Sequence, residues 1–445
     1  MARHLTLLGL APLVLACTGK PGPGDASVTI GDVTAEVSPV IPTVVTVTWT
    51  TDVASVGYVR FGDGLTTPTE SVAATEHSAV LLGLHMQTAV DYQVVVQAEE
   101  GDITSDTASV TTGILPNTLP TLTLDGDGND LYTVAPILGG VVGPAIIDAT
   151  GNFVWYYPDT RGLDVYRARL SRDGTSVLYN AGSVSGDPAQ DSALVRVSLD
   201  GTSEVATPVP LLAHDFVELP DGTLSAIAVE YRDFNGSQLR GDKIVEVAPD
   251  GTQTDAWSVW DCFDPAVDVG TDTEIGWTFA NALDYDEADD AYYLSIRNFS
   301  SIVKIDRATG TCDWVFGTTA ATITPASGDD VFLHEHQFEV LDSSILVFDN
   351  AGAGSQSRAL EYSFDPTQPT ASEIWSFYPD PSIFTFVLGD VHRLDDGDTL
   401  VDFAVGGEID RVTPAGDVTW RLDAALGYAF GFFEAEPDLY VARGE

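Results

Sequence analysis

Short stretches in which apolar and polar residues alternate dominate the segment from residue 27 to residue 113. Alternation with a period of two is typical of β-strands that bury one face and expose the other. Runs of this kind at residues 44–49, 57–61, 78–82 and 92–96 are separated by turns rich in Gly, Asp, Thr and Pro. This spacing predicts a small β-sandwich over residues 27–113.

A longer repeat replaces this pattern over residues 114–445. Each copy combines strand-like runs rich in Val and Ile with an Asp- and Gly-containing turn, and most copies carry a Trp. Helical periodicity is nearly absent, which argues against a barrel of alternating strands and helices. The copies lie around Trp155, Trp257, Trp314, Trp375 and Trp420, with one copy that lacks Trp at Val197–Ser203. Six copies of about four strands each predict an all-β protein whose main part is a six-bladed β-propeller.

An aromatic strip at residues 428–440 follows the last copy. A propeller avoids exposed sheet edges when its last segment pairs with its first blade. We therefore expect this strip to close the ring.

The first 16 residues have the pattern of an export signal, with a basic start and an apolar run too short to span a bilayer. The ending, Val14-Leu15-Ala16-Cys17, resembles the lipobox of bacterial lipoproteins. The sequence thus predicts a lipoprotein signal peptide at 1–16, lipidation of Cys17 and a flexible tether over 17–26. An ordinary cleaved signal with an incidental Cys is the alternative. Thr18 favours an anchor in the outer membrane or at the cell surface, facing the periplasm or the exterior.

Charge narrows the range of partners. The chain has 67 acidic and 19 basic residues, for a formal net charge of −48. Such a surface repels phosphate backbones and anionic lipid headgroups, which excludes a nucleic-acid-binding function. A hydrophobic content of 44% nevertheless suffices for packed cores. We interpret the acidic excess as adaptation to a saline medium, where salt screens the repulsion between carboxylates.

Two cysteines, Cys262 and Cys312, remain once Cys17 is set aside. Export makes a disulfide between them possible, and two buried free thiols are an equal alternative. No spacing of Cys and His suggests a zinc site. We expect neither a metal nor another cofactor.

The histidines of the propeller segment carry the chemical signal. They occur in three short segments, which contain His214, His334 with His336, and His392. Each segment precedes an Asp-containing turn at the same phase of its repeat. If the repeats are blades, these segments begin innermost strands and face the central channel. Arg297 and Asn281 belong to the intervening blade and are expected to reach the same mouth.

Each of these residues also has a structural interpretation. His214 and His392 can hydrogen-bond across the tops of blades, as buried polar groups commonly do. Arg297 can be an ion-pair partner in so acidic a protein. His334 fits an exposed loop.

Aromatic residues of the first segment resemble those of a known domain. Trp49 on an early strand and Tyr92 after a Leu-Gly-Leu turn resemble the core Trp and the tyrosine corner of fibronectin type III domains. His77 and His85 fall in the same segment, and we predict that they are solvent-facing loop residues.

Four motifs follow one another along the propeller segment. They are His214-Asp215-Phe216, Asn281 before Asp284-Tyr285-Asp286, Ser295-Ile296-Arg297 before Ile302–Asp306, and His336 before Phe348-Asp349-Asn350. Their order and spacing resemble those of the bacterial arylsulfate sulfotransferases, which use no nucleotide sulfate donor. The resemblance spans roughly residues 115–445, and no single motif would suffice.

This resemblance implies transfer of a sulfuryl group from a phenolic sulfate ester to a phenol through a covalent sulfohistidine. It makes His336 the nucleophile, His214 and Arg297 the residues that hold the sulfuryl oxygens, and Asn281 a hydrogen-bonding assistant. A neutral imidazole can attack sulfur without prior deprotonation. Guanidinium and imidazole donors stabilise the negative charge of the transition state.

The chain departs from the family at one important position. Phe279 stands where the family has a His two residues before the Asn, and Asn298 follows the Ser-x-Arg motif in place of His or Gln. Loss of one such electrostatic donor costs roughly 10²–10³ in rate in comparable oxyanion sites. Either His334 or His392 substitutes for this donor, or the substrate differs, or the chain has lost activity. His392, where the family usually has Gln, is a candidate compensating donor. With Asn281, we place Phe279, His392 and Arg358 among the substrate-binding residues.

Two functional classes follow. The first is an exported, lipid-anchored arylsulfate sulfotransferase that uses a phenolic sulfate donor and a phenol acceptor. The second is a catalytically inactive propeller that binds a surface ligand or partner through its central mouth. A quinone-dependent dehydrogenase is a distant third, because no pattern for docking that cofactor is evident.

Overall fold

The computed structural model describes residues 28–99, 101–127, 129–184, 187–271, 275–352 and 355–440. The predicted signal peptide, Cys17 and the tether lie outside the described residues. The structure is all-β, and a two-sheet sandwich precedes a ring of sheets, as the sequence predicts.

The sandwich packs two sheets around one apolar core. Its strands are β1 (Thr34–Val37), β2 (Val45–Ser55), β3 (Gly57–Phe61), β4 (Leu65–Thr66), β5 (Ala74–Leu81), β6 (Ala89–Val96), β7 (Ile103–Thr104) and β8 (Ala108–Thr111). Strands β1, β2 and β5 form one sheet, and the others form the second. Trp49 and Tyr92 are both buried in the shared core. Kinship with fibronectin type III domains stays a prediction.

His77 is not the solvent-facing loop residue that we expected. It lies in β5, where the alternation of side chains turns it inward, and it is buried. Its ring stacks on that of Trp49 with centroids 4.9 Å apart. Its Nδ1 is 2.7 Å from a carboxylate oxygen of Glu70. His85 is partly exposed in a loop, with Nε2 2.5 Å from Asp148 Oδ2.

Six sheets form the propeller within the described part of the chain. Its strands up to the end of blade 3 are β9 (Leu122–Gly126), β10 (Tyr132–Leu138), β11 (Gly143–Ile147), β12 (Phe153–Tyr156), β13 (Asp164–Leu170), β14 (Ser176–Val184), β15 (Asp187–Ser198), β16 (Glu204–Pro208), β17 (Leu212–Glu218), β18 (Leu224–Phe234), β19 (Ser237–Val247) and β20 (Gln253–Ser258). Strands β13–β16 make blade 2, and β17–β20 make blade 3.

The remaining strands complete the ring. They are β21 (Ala280–Asp286), β22 (Ala291–Ile296), β23 (Ser301–Asp306), β24 (Cys312–Gly317), β25 (Thr324–Pro325), β26 (Phe338–Val340), β27 (Ser344–Asp349), β28 (Arg358–Ser363), β29 (Thr370–Phe377), β30 (Asp390–Arg393), β31 (Thr399–Asp402), β32 (Glu408–Val412), β33 (Val418–Ala424), β34 (Ala429–Phe430) and β35 (Glu434–Glu436). Strands β21–β24 make blade 4 and β25–β29 make blade 5. Short 3₁₀ turns span Val259–Asp261, Arg297–Phe299 and Ala404–Gly406.

Both ends of the propeller segment close the ring. Blade 1 consists of β10–β12 with β34 and β35, and blade 6 consists of β30–β33 with β9. Strands β34 and β35 pair with β10, which confirms the closure expected of the aromatic strip. Strand β9 pairs with β33 and becomes the outermost strand of blade 6. Each of these two blades therefore contains strands from opposite ends of the segment.

The sandwich contacts the propeller through specific hydrogen bonds. Near the C-terminus, Tyr440 Oη accepts a bond from the Leu82 amide (2.8 Å) and donates to the Val80 carbonyl (2.9 Å). The Thr43 hydroxyl donates to the Val154 carbonyl of blade 1 (2.7 Å). Ile41 is buried in the apolar cluster of blades 1 and 2.

A disulfide joins Cys262 to Cys312, which resolves the choice left open by the sequence. Cys262 follows the 3₁₀ turn after blade 3, and Cys312 begins the outermost strand of blade 4. The bridge thus ties neighbouring blades at their rims. Nowhere in the described ranges is there a helix with the length and apolar character needed to span a bilayer.

A buried ionic network fills the middle of the central channel. Arg167 on β13 donates Nε–H to Asp215 (2.9 Å) and Nη1–H to Asp390 (3.2 Å). Gln337 and the Leu283 amide also donate to Asp215 (2.8 and 3.1 Å). Burial would raise the pKa of Asp215, but the charge of Arg167 holds it below its usual value. Burial and the charge of Asp215 raise the pKa of Asp390 to about 7 against the opposing effect of Arg167.

Candidate functional site

Three innermost strands, β17, β21 and β26, bring two histidines and one phenylalanine to one mouth of the channel. His214 lies in β17, and His336 immediately precedes the channel-filling Gln337 and strand β26. Their ring centroids are 6.0 Å apart in an edge-to-face arrangement. Phe279, just before β21, lies 5.2 Å from His214. These three residues line a cavity of about 1060 Å³. All three were expected at the site from the sequence, the histidines as catalytic residues and Phe279 as a substrate-binding residue.

His336 is held in one tautomer by its neighbour. Its side chain is 1% exposed, and its Nδ1 is 2.6 Å from Asn350 Oδ1. The Asn350 amide nitrogen donates to the carbonyls of Thr385 (3.0 Å) and Leu388 (2.8 Å), which fixes its oxygen toward the imidazole. Nδ1 of His336 must therefore carry the proton, so that Nε2 keeps the lone pair.

Burial keeps this imidazole neutral. It lowers the pKa of His336 well below the ordinary value, and the nearby His214 and Arg297 act in the same direction against the Asn350 hydrogen bond. The neutral ring retains its lone pair over the whole range of physiological pH. A neutral, oriented imidazole in a cavity can act as a nucleophile or as a base.

His214 is a half-buried ring stacked on Tyr166, with centroids 5.1 Å apart. Burial lowers its pKa to about 3, helped by the charges of Arg240 and Arg297 and opposed by Asp215. Its Nδ1 has no hydrogen-bond partner among the described residues. In the neutral ring this nitrogen can donate to a ligand oxygen only in the tautomer that carries the proton on Nδ1.

Two guanidinium groups face the same aromatic ring. The Cζ of Arg240 is 4.4 Å from the Phe279 centroid, and the Cζ of Arg297 is 5.7 Å from it. Arg297 also donates from Nη1 to Asn298 Oδ1 (2.9 Å), and the Asn298 amide donates to the Gly276 carbonyl (2.9 Å). Both arginines line the cavity, and Asp164 and Asp187 line it too, so cationic and carboxyl side chains share its surface.

Arg240 was not found by sequence reasoning. It lies on β19, whose 11 residues pair along their length with the 11 residues of β18. That long hairpin places Arg240 in the lining of the same cavity as His214 and His336. The sequence contains two long strands here, but no local motif shows where their ends project.

The backbone of Phe279 has φ +59°, a left-handed conformation that is unfavourable for a bulky side chain. Leu388, across the cavity, has φ +57°. Backbone strain of this kind persists only where surrounding contacts enforce it, and it is frequent at ligand sites. The strained position places the Phe279 ring between His214 and the two guanidinium groups.

The rim of the cavity is apolar and exposed. Phe386 is 61% exposed, and Tyr231, Ile275 and Val387 are also exposed at this mouth. Exposed aromatic and aliphatic side chains above a charged floor suit a ligand with an aromatic body and an anionic end.

Asn281 lies below the cavity and does not line it. It is fully buried and donates from Nδ2 to the Glu335 carbonyl (2.9 Å), directly before His336. Through this hydrogen bond Asn281 helps to orient the backbone at His336. His334 contacts Thr271, with Nε2 3.4 Å from its hydroxyl.

His392 and Arg358 are not brought to this site. The ionic network marks one level of the channel, at which Asp215, Gln337 and Asp390 lie. His214 comes one residue before Asp215 in the sequence, and His336 comes one residue before Gln337. His392 follows Asp390 by two residues, so it projects at the opposite end. There it lines a second cavity of about 200 Å³.

Both residues have other partners at their actual positions. His392 Nδ1 is 3.2 Å from Glu339. Burial opposes protonation of His392, but the hydrogen bond and charge of Glu339 raise its pKa overall. Arg358 donates from Nε to Asp349 (2.7 Å) and from Nη1 to Asp330 (2.6 Å). From there His392 cannot compensate for Phe279, and Arg358 does not line the cavity.

No group of three or more His, Cys, Asp and Glu side chains within the described ranges is arranged to hold a metal ion. The chemistry that the geometry offers is that of a neutral imidazole beside fixed cations.

Several solved structures are similar to this one at low sequence identity. A protein of unknown function from Bacteroides caccae is 13% identical, with 70% of this chain and 100% of that chain covered and a TM-score of 0.44. Virginiamycin B lyase from Staphylococcus aureus is 13% identical, with 67% and 87% covered and a TM-score of 0.39. The propeller domain of Cps50 (Swd1) from Myceliophteria thermophila is 12% identical, with 73% and 92% covered and a TM-score of 0.41.

No curated protein sequence matches the chain. The family model described as Arylsulfotransferase (ASST) matches residues 128–418, which is more than half of the chain and includes both histidines, both arginines and Phe279. The chain therefore belongs to the arylsulfotransferase family.

Proposed function

We propose that this protein transfers a sulfuryl group from a phenolic sulfate ester to a phenol through a sulfohistidine at His336. The observation that carries the proposal is the fixed tautomer of His336 in a cavity floored by guanidinium groups. Family membership supports the same general reaction.

The first half-reaction forms a nitrogen–sulfur bond. The Nε2 lone pair of His336 attacks sulfur, the bond from sulfur to the phenolic oxygen breaks, and the phenolate leaves with that electron pair. In this proposal Arg297 and His214, which line the same cavity as His336, bind the peripheral sulfuryl oxygens. Electrostatic stabilisation of this kind contributes several kcal/mol in comparable sites.

The second half-reaction reverses the first with another phenol. The acceptor oxygen attacks sulfur, the nitrogen–sulfur bond breaks, and its electron pair returns to Nε2 of His336. The phenolic proton passes to solvent. The exposed apolar rim around Phe386 supports binding of the aromatic ring of each substrate in turn.

We also propose that the protein works outside the cytoplasm, tethered through lipidated Cys17. The predicted signal and lipobox support this location, and the Cys262–Cys312 disulfide fits an oxidising compartment. Mass spectrometry of the mature N-terminal peptide tests it. A lipid-free N-terminus would contradict the anchor.

The deciding experiment incubates the purified protein with 4-nitrophenyl sulfate and a phenol acceptor in high salt. Release of nitrophenol together with sulfation of the acceptor is expected for the wild type. Without acceptor, peptide mass spectrometry should find one sulfuryl group on His336. His336→Ala should abolish both signals, and equal activity of the variant and the wild type would rule out the nucleophile assignment.

The replacement of the family His by Phe279 favours a second candidate, a propeller that binds aryl sulfates without turnover. This candidate would be supported if the wild-type protein bound 4-nitrophenyl sulfate tightly but released no phenol from this or any other aryl sulfate donor.

A further inference from the structure

Arg240 is placed over the floor of the cavity by the β18–β19 hairpin. Its Cζ is 4.4 Å from the Phe279 centroid, which is closer than the 5.7 Å of Arg297. Its charge also lowers the pKa of His214 more than that of Arg297 does, although burial is the largest cause. Two cations thus converge on one ring beside the imidazole of His214.

The guanidinium of Arg240 lacks the partner that most arginines of this protein have. Arg161, Arg307, Arg358 and Arg421 each pair with carboxylates. Within the described ranges no carboxylate oxygen lies within ion-pair distance of Arg240, although its charge acts on the buried Asp242 of the same strand. Its Nη1 donates to the Ile275 carbonyl at 3.3 Å, and its Nε is buried without a hydrogen-bond partner.

An unpaired cation next to a second cation is costly in a partly desolvated cavity. The Phe279 ring offsets part of this cost, because its negative π-face attracts both guanidinium groups. The rest can be offset by a bound anion. Guanidinium groups bind two oxygens of one anion with directed N–H bonds, which suits a sulfuryl group with three peripheral oxygens.

We propose that Arg240 is a further catalytic residue, which together with Arg297 binds the sulfuryl oxygens of the donor while Phe279 sets the spacing of the two guanidinium groups. This inference rests on the proposed function for the identity of the anion. In this inference the Phe279 ring has a function of its own, because it holds the two guanidinium groups at a fixed distance from each other.

The test separates binding from chemistry. In a His336→Ala background, calorimetry at fixed high salt measures the affinity for 4-nitrophenyl sulfate and for the neutral analogue 4-nitroanisole. Adding Arg240→Met should weaken sulfate-ester binding by about 10- to 100-fold, the range of hydrogen bonds to charged groups. Binding of 4-nitroanisole should stay unchanged. Arg240→Lys should recover only part of the affinity, because it restores the charge without the planar fork.

Arg232 provides a matched control on the same hairpin. It pairs with Glu230, and its guanidinium lies over Trp260, outside the cavity. Arg232→Met should leave both affinities unchanged. Thermal unfolding of each variant verifies the fold.

The outcomes distinguish this inference from the proposed function. Unchanged sulfate-ester affinity in both Arg240 variants, equal loss of both ligands, or no ester binding in the His336→Ala background would overturn the role of Arg240. Ester binding that depends on Arg240, in a wild-type protein without transfer activity, would support that role and contradict the proposed transfer reaction.

Discussion

His336 and His214 owe their chemistry to their surroundings. Histidine has an ordinary pKa near 6.5, so an exposed ring loses its lone pair as the pH falls below that value. Burial and neighbouring charges lower the pKa of His214 to about 3, and they lower the pKa of His336 well below its ordinary value. The neutral, nucleophilic form therefore persists into acid.

This predicts a flat pH profile on the acid side. The kcat/KM for 4-nitrophenyl sulfate should change less than about twofold from pH 8 to pH 5, whereas a nucleophile with an ordinary pKa would lose roughly thirtyfold. Stopped assays that quantify total nitrophenol give the profile. An acid limb near pH 6.5, in protein that circular dichroism shows to be folded, would contradict the prediction.

Asn350 should control the tautomer of His336. Asn350→Ala removes the acceptor of the Nδ1 proton, which permits the unreactive tautomer and should lower kcat by about 10²-fold with little change in KM. Asn350→Asp keeps an acceptor oxygen and should recover part of kcat. Nitrogen NMR of labelled His336 reports the tautomer directly. A fall in kcat without a tautomer shift would assign Asn350 a purely structural role.

Sequence reasoning reached part of this site. The repeat phase placed His214 and His336 on innermost strands, since the motif fixes their offset from the turn. It could not place His392, because a shift of three residues along a strand moves a side chain by about 10 Å. Arg240 was missed because its position depends on how far a hairpin projects, which is a tertiary property.

At the scale of elements, the Cys262–Cys312 bridge constrains neighbouring blades and closes a sequence separation of 50 residues. Replacing both cysteines by Ser should lower the free energy of unfolding by roughly 2–4 kcal/mol, because the unfolded chain regains conformational freedom. Urea unfolding at fixed salt measures the change. Reductant should shift the unfolding curve of the wild type toward that of the variant and leave the curve of the variant unchanged. Coincident curves under all conditions would show that the bridge adds no stability.

The blade repeats were predictable because their turns and tryptophans recur at a visible period. The closure by residues 428–440 also followed from the sequence. The pairing of β9 with β33 did not, since alternation identifies a strand but not a partner at the other end of the segment. His77 shows the same limit, because its burial depends on which face of β5 meets the core.

For the whole molecule, buried carboxyl groups should make stability depend on pH. Burial raises the pKa of Asp390 and Glu408 to about 7, and that of Asp402 and Glu335 well above the ordinary value. The folded state holds these protons where the unfolded state releases them. The stabilisation that these protonated carboxyl groups add to the free energy of unfolding is complete below about pH 4. It is lost as the pH rises through 7.

We therefore expect a higher midpoint of thermal unfolding at pH 5.5 than at pH 8. His214 and His336 oppose the trend below pH 6.5, because the unfolded state protonates them first, but the carboxyl groups outnumber them. Calorimetry in constant high salt, which screens the net charge of −48, measures the shift. Asp390→Asn should reduce it, and a midpoint that rises with pH in the wild type would contradict the prediction.

The double closure of the ring bears on biosynthesis. Strand β9 leaves the ribosome before β10–β29, and its partner β33 is made after them, as are β34 and β35 of blade 1. A chain that terminates early thus keeps bare strand edges at both blades, which invites aggregation and proteolysis. Tyr440 also ties the segment after β35 to the sandwich, so both closures of the ring and this contact form only after β33–β35 have been made.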